Sequence, residues 1–376
     1  MKQIFRTIVA LFAVLIFSSV CTAQDAYRVI FLGDTHYDAE DVKLHPEGIS
    51  KAYPRDIEMW KERLPKLLTA ANQKATESNT AFVLQAGDMV EGGGGTADAH
   101  KNMLEDGYKK LQSYFSVPVL TTCGNHDIST KIRKGEPYPA QIYEKFLQQN
   151  VLPALNKTEG IKVLSAFNNN HSSAKTNIAF RYGKDLYLLM NFNSYGPDLD
   201  KLKEVLEQNA DARYKIILSH AGPLPWDRSW RPEWRLYGYV KMEKEKRDAA
   251  LELFQKYNCI FLTGHYHGVS YLEYATEKGT IHQLMNSCVW TPNITENFAF
   301  KTTTPDNYGS RILATKIISR EAAQELVNTF KPSIKKYYNG NGAGYMTLDI
   351  SDSGVVVNYF HRDSDKVSYT FAIPKK

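Results

Sequence analysis

The chain has few cysteines, no block of like charge and, beyond its first residues, no hydrophobic run of any length. Of its four cysteines in 376 residues, Cys21 lies in the N-terminal stretch, and Cys123, Cys259 and Cys288 follow it. Three in an exported chain exclude a full disulfide framework. Cys123 and Cys259 sit in apolar runs, where a thiol reads as a small buried side chain rather than a reactive one. The formal net charge of +5 is spread without a basic arm or stripe, so there is no clear nucleic-acid site. The run Gly92 to Gly95 lacks the lysine and Ser/Thr of a P-loop and reads as a plain loop. No internal repeat or long low-complexity segment is visible.

Lys2 and Arg6 precede an apolar run from Ile8 to Phe17 and small residues ending Cys21-Thr22-Ala23, with no acid before Asp25. This pattern predicts a signal peptide over residues 1–23, cut after Ala23, and a secreted or periplasmic location. A lipid anchor at Cys21 is the weaker reading, because Val20 suits lipidation poorly. The mature chain would begin at Gln24, lack a transmembrane segment and be soluble. Over 24–376 we expect a single domain with insertions, its motifs in 27–268 and a β-rich remainder in 269–376.

What is abundant is one arrangement, repeated. Val117 to Asp127 reads V-P-V-L-T-T-C-G-N-H-D, a β-branched apolar run that empties into Gly124-Asn125-His126-Asp127. Arg28 to Leu32 leads likewise into Gly33-Asp34-Thr35-His36, Ala81 to Ala86 into Gly87-Asp88, Lys215 to Ser219 into His220, and Cys259 to Thr263 into Gly264-His265-Tyr266-His267. Such runs predict buried parallel strands with polar residues at their carboxyl ends, where open α/β sheets bind ligands. Helical spacing between them, near Asp56–Thr76, Asp98–Tyr114, Gln141–Leu155, Asp198–Gln208 and Met242–Tyr257, predicts crossover helices and an α/β fold. Asn177–Tyr182 and Asp185–Asn193 read as a hairpin across Gly183-Lys184, while the Asn-rich stretch before them gives no signal. A helix near Arg320–Phe330 and strands near Gly344–Ile350, Val355–His361 and Val367–Ile373 suggest a second sheet packed on the first.

Asp34, His36, Asp88, Asn125, His220, His265 and His267 offer seven oxygen and nitrogen donors without thiolate. That is more than one ion ordinarily takes, and it suits two divalent ions sharing a carboxylate, as in phosphatases and nucleases. Imidazole with carboxylate favours manganese, iron or zinc over calcium. His265 and His267, two apart on an extended segment, would project to one side and serve neighbouring ions. His126 has Asp127 beside it to orient its ring and raise its basicity, which suits leaving-group protonation or stabilisation of transition-state charge. His45, His100, His171, His282 and His361 have no comparable setting.

In that order, Asp34-x-His36, Gly87-Asp88-x-x-Glu91, Gly124-Asn125-His126-Asp127, His220 and Gly264-His265-x-His267 resemble the calcineurin-like metallophosphoesterase superfamily. The resemblance covers roughly Tyr27 to Gly268. It implies an α/β/β/α sandwich, a four-layer α/β fold of two mixed sheets flanked by helices, with a dinuclear site. It further implies that Asp34, His36 and His267 hold one ion, that Asn125, His220 and His265 hold the other, that Asp88 bridges and that His126 is the catalytic histidine. The purple acid phosphatase branch carries a tyrosine three residues after the bridging aspartate; Glu91 stands there, which argues against a ferric tyrosinate centre and for a residue orienting ligands or waters.

Between Pro223 and Tyr239, Trp226, Trp230 and Trp234 alternate with Arg228, Arg231 and Arg235. They either cap the core or wall a substrate, with rings stacking on it and an arginine gripping phosphate oxygen; Trp226, Trp230, Arg228 and Arg231 are the substrate-binding candidates. The expected activity is hydrolysis of a small-molecule phosphate mono- or diester by attack of a metal-bound hydroxide on phosphorus. Alternatives are a nuclease, a lipid-headgroup or cyclic-nucleotide diesterase, or a non-catalytic binding module on the same scaffold.

Overall fold

The computed structural model describes residues 25–128, 132–169, 172–191, 198–228 and 244–376. Its strands are β1 (Tyr27–Leu32), β2 (Thr80–Gln85), β3 (Val119–Thr121), β4 (Ile161–Asn169), β5 (Ser172–Tyr182), β6 (Asp185–Met190), β7 (Lys215–Ser219), β8 (Ile260–Thr263), β9 (Val269–Thr276), β10 (Gly279–Met285), β11 (Ile334–Gly340), β12 (Gly344–Ser351), β13 (Gly354–His361) and β14 (Val367–Pro374). They form two mixed sheets. One has the order β14-β13-β12-β1-β2-β3 and the other β11-β9-β10-β8-β7-β6-β5-β4. In the first, β1, β2 and β3 are parallel; in the second, β6, β7, β8 and β10 are. The late strands correct one expectation, because they build no sheet of their own. β12 pairs antiparallel with β1, whereas β9 and β10 join beside β8, so each sheet takes its share.

The two sheets stack face to face. Phe82 on β2 makes edge contacts with Phe180 and Tyr187, at 5.8 and 5.1 Å between centroids, and the Tyr27 hydroxyl donates to Asp185 at 2.7 Å. Along β6 the pleat sends alternate side chains to opposite faces. Tyr187 and Leu189 enter the layer between the sheets, while Leu186, Leu188 and Met190 face an outer core shared with the helices Leu199–Gln208, Lys244–Lys256 and Arg320–Phe330. On the far side of the six-stranded sheet the helix Leu64–Thr76 lies against β1 and β12. The result is the four-layer α/β/β/α sandwich. Truncating Phe82 to alanine should open a cavity in the middle layer and cost about 3–5 kcal/mol, read as a lower denaturant midpoint with the slope unchanged.

Candidate metal centre

Asp34 and His36 follow β1, Asp88 follows β2, Asn125 and His126 follow β3, His220 follows β7, and His265 and His267 follow β8. The parallel strands of both sheets therefore deliver their polar ends to one edge. The sheets are pinned together there: Asp34 bridges to Ser287, and the Asn286 side chain donates to the Phe31 and Gly344 carbonyls at 3.2 and 3.1 Å. Gly124 must be glycine, since a Cβ would fall 2.1 Å from Asp88 Oδ1.

The donors gather into two groups. His36 Nε2 lies 3.1 Å from His267 Nε2, with Asp34 Oδ1 3.8 Å from the latter. In the second group His220 Nε2 lies 3.0 Å from Asp88 Oδ2, 3.1 Å from His265 Nδ1 and 3.2 Å from Asn125 Oδ1. Asp88 also reaches back, its Oδ2 3.8 Å from His36 Nε2. Two donors about 2.0–2.1 Å from one ion lie about 2.8–3.4 Å apart at octahedral or tetrahedral angles, so the short contacts have the spacing of atoms sharing a cation. Asp34 Oδ2 is buried and without a hydrogen-bond partner among the described residues, and a cation would satisfy it. The residues thus fit a dinuclear centre of nitrogen and oxygen donors.

Electrostatics agree with this arrangement. Burial lowers the pKa of His36 to about 4 and pushes that of His267 well below its usual value, so both present neutral imidazole near pH 7. Burial opposes ionisation of Asp88, but the histidines around it, His220 foremost, outweigh burial and hold it well below the carboxylate range. Burial likewise opposes charge on His220, yet Asp88 raises it to about 9, so a cation binding there displaces a proton. Neighbouring groups fix the tautomers. His36 Nδ1 donates to Glu91 Oε2 at 2.8 Å, and His220 Nδ1 donates to the Ala86 carbonyl at 2.8 Å, which aims both Nε2 atoms into the cluster.

Several expectations need amendment. Asp127 does not orient His126: its carboxylate accepts from the Gly124 amide at 2.7 Å and the Val90 amide at 3.2 Å, bracing the loops after β2 and β3. His126 Nδ1 instead donates to the Glu91 carbonyl at 2.7 Å. The His265–His267 segment is not extended, since both residues have positive φ, 76° and 45°, and their rings enter different groups. His36 and Asp88, at 44° and 46°, are also left-handed, so four of the six non-glycine residues with positive φ among those described stand in this cluster. Backbone strain of that kind concentrates at functional sites. Trp226 is 2% exposed and packed in the outer core, so its ring walls no ligand. Trp230, Trp234, Arg231 and Arg235 lie outside the described residues, as does the expected leader.

Two further groups around the site carry no local motif. Asp56 is fully buried and held by Arg55 at 2.6 Å, and it stands with Glu91 and His36 in a cluster of two carboxylates and an imidazole beside the donor groups. Burial raises it to about 6 against the pull of Arg55. Trp60, in a π-helical stretch at Met59–Arg63, donates to the Thr35 carbonyl at 2.8 Å, between Asp34 and His36. The other described histidines have ordinary partners: His45 meets Asp38, His100 the Asp127 carbonyl, His282 Tyr271 and His361 the Thr295 carbonyl. Cys123, Cys259 and Cys288 are buried and unbridged.

No curated protein matches the chain. Among solved structures, a purple acid phosphatase from yellow lupin (Lupinus luteus) seeds has a TM-score of 0.52 at 13% identity, over 94% of this chain and 54% of that one. A dimetal phosphatase from Danio rerio has a TM-score of 0.50 at 12% identity, over 94% of this chain and 100% of that one. This chain thus spans about half the length of the lupin protein, and at such identities the likeness speaks for the fold. The family profile described as calcineurin-like phosphoesterase matches residues 27–269, a span that holds all five motif blocks. With the sandwich and its paired donor groups in view, the chain belongs to the calcineurin-like phosphoesterases and is a metallophosphoesterase.

Proposed function

We propose that the protein is an exported hydrolase of small-molecule phosphate mono- or diesters. In this reading Asp34, His36 and His267 hold one divalent ion, Asn125, His220 and His265 hold the other, and Asp88 lies between them; manganese, iron and zinc suit the donors. Such a pair of ions, when bound, withdraws charge from a phosphoryl group and brings the pKa of water toward neutrality. The chain's own residues do the rest. Asp88 sets the spacing, and the Glu91 carboxylate holds the His36 tautomer. The Glu91 carbonyl engages His126 Nδ1, so the proton that moves is the one at Nε2, passed to the departing oxygen. Burial disfavours charge on His126, but Asp88 and Glu91 outweigh it and raise its pKa, which suits an acid. Asp127 keeps the two loops in register.

The observation that carries the proposal is the meeting of His220 Nε2, His265 Nδ1, Asn125 Oδ1 and Asp88 Oδ2 at 3.0 to 3.2 Å. Metal analysis of the purified protein, followed by a panel of mono- and diesters with manganese, zinc and iron supplied, tests it. A metal-free protein inactive on the whole panel would sink it. N-terminal sequencing of the exported protein should begin at Gln24. Chelation should also destabilise the fold, because ions that bind only the native state at about a hundredfold their Kd contribute roughly 2.7 kcal/mol. The melting temperature should fall on chelation and recover when metal is restored.

A further inference from the structure

Arg228 sits eight residues beyond His220 and against the main chain that carries His267: a Cβ on Gly268 would fall 2.2 Å from Arg228 Nη2. Its Nε and Nη2 atoms are buried and find no hydrogen-bond partner among the described residues. The adjacent carboxylate does not serve it. Asp227 is occupied by the Arg311 and Ile312 amides at 2.8 and 3.0 Å and by the Ser310 hydroxyl at 3.4 Å. The surrounding charge compensates only in part: after burial itself, Arg311, a second guanidinium, pushes Arg228 away from its charged form, against a smaller pull from Tyr337, Tyr266 and Asp227. A buried guanidinium with idle donors is costly, and a fork of parallel N–H groups matches an oxyanion.

We infer that Arg228 seats a second anionic group of the substrate, a carboxylate or phosphate carried on the alcohol side of the ester. The inference rests on the phosphoesterase reading. The scissile group is not the occupant, because in that reading the ions held by the seven proposed donors would engage its oxygens, and Arg228 is not one of those donors. Arg228 and Arg311 together exceed the Asp227 carboxylate by one positive charge, and an acid on the leaving group meets it. The preferred substrates are therefore phosphate esters of acidic alcohols rather than of neutral ones.

The test compares matched esters on the metal-loaded protein: ethyl phosphate with phosphoglycolate, and glucose 1-phosphate with glucose 1,6-bisphosphate. Wild type should favour the acidic member of at least one pair by about 10–100-fold in kcat/KM, through KM. Arg228→Gln should bring that ratio close to one, and Arg228→Lys should keep part of it. Equal effects of Arg228→Gln on both members, or no preference in wild type, overturns the inference. Should Arg228→Gln fail to fold, the wild-type ratios decide alone. Calorimetric binding of the same four compounds separates the two levels: tighter binding of the acidic members without turnover keeps the anion seat and sinks the hydrolase, and turnover without preference does the reverse.

Discussion

Asp88→Asn should lower kcat/KM by at least about 10³-fold, roughly 4 kcal/mol of barrier, and should cost the protein an ion. Asp88 faces the inward Nε2 atoms of both donor groups: Oδ2 lies 3.0 Å from His220 Nε2 and 3.8 Å from His36 Nε2, while Oδ1 accepts the His126 amide at 2.8 Å. Asparagine keeps the volume and one oxygen, so the amide contact and the fold should survive. What goes is the negative charge between two cations, and two like charges cannot be held close without it. Elemental analysis should find one metal or fewer per chain, against two in wild type. Two ions and an undiminished rate in Asp88→Asn would remove the residue from its bridging role.

His126→Ala should behave differently, and the contrast is informative. The imidazole is anchored through Nδ1 on the Glu91 carbonyl, and its position rests on the short helix Asn125–Ile128, braced by Asp127. Removing the ring leaves the seven proposed donors and the brace in place, so metal content should not change. The rate should fall by about 10²–10⁴-fold for esters of ordinary alcohols. Esters whose alcohol leaves readily, such as p-nitrophenyl phosphate, need little protonation and should lose far less. Equal losses across a series of leaving groups would assign His126 to charge stabilisation instead of proton transfer.

Much of the framework was legible because burial on both faces writes itself into composition. β1 and β7 run from Tyr27 to Leu32 and from Lys215 to Ser219, as their apolar runs predict, and every described residue of β7 is buried. The strands that left no signal are β4 and β11, and these are the two edges of the eight-stranded sheet. An edge strand faces solvent along one side and carries polar residues that blunt its pairing; Lys335 and Lys336 in β11 and Ser165 and Asn168 in β4 dilute the apolar pattern accordingly. Sheet membership of the late strands was hidden for another reason, since pairing partners far apart in sequence leave no local mark. The donor set was readable because it rides on strand ends. The wiring around it was not: neighbours in sequence, such as His126 and Asp127, turned in different directions, and the partner of the histidine came from the loop after β2. The alternation of Trp and Arg after Pro223 left open whether Trp226 caps the core or walls a substrate, and its burial in the outer core decides for the first.

The division of the donors between the sheets has a mechanical consequence. Asp34 and His36 come from one sheet and His267 from the other; Asp88 and Asn125 come from the first and His220 and His265 from the second. Each cation would therefore act as a rivet through both layers. Neither half of the polypeptide could recruit its metal before the layers had closed on each other, and any slippage between them would tear both coordination shells at once. Loading with metal becomes a late event that records correct closure, and a misassembled sandwich would reveal itself by being unable to hold either ion.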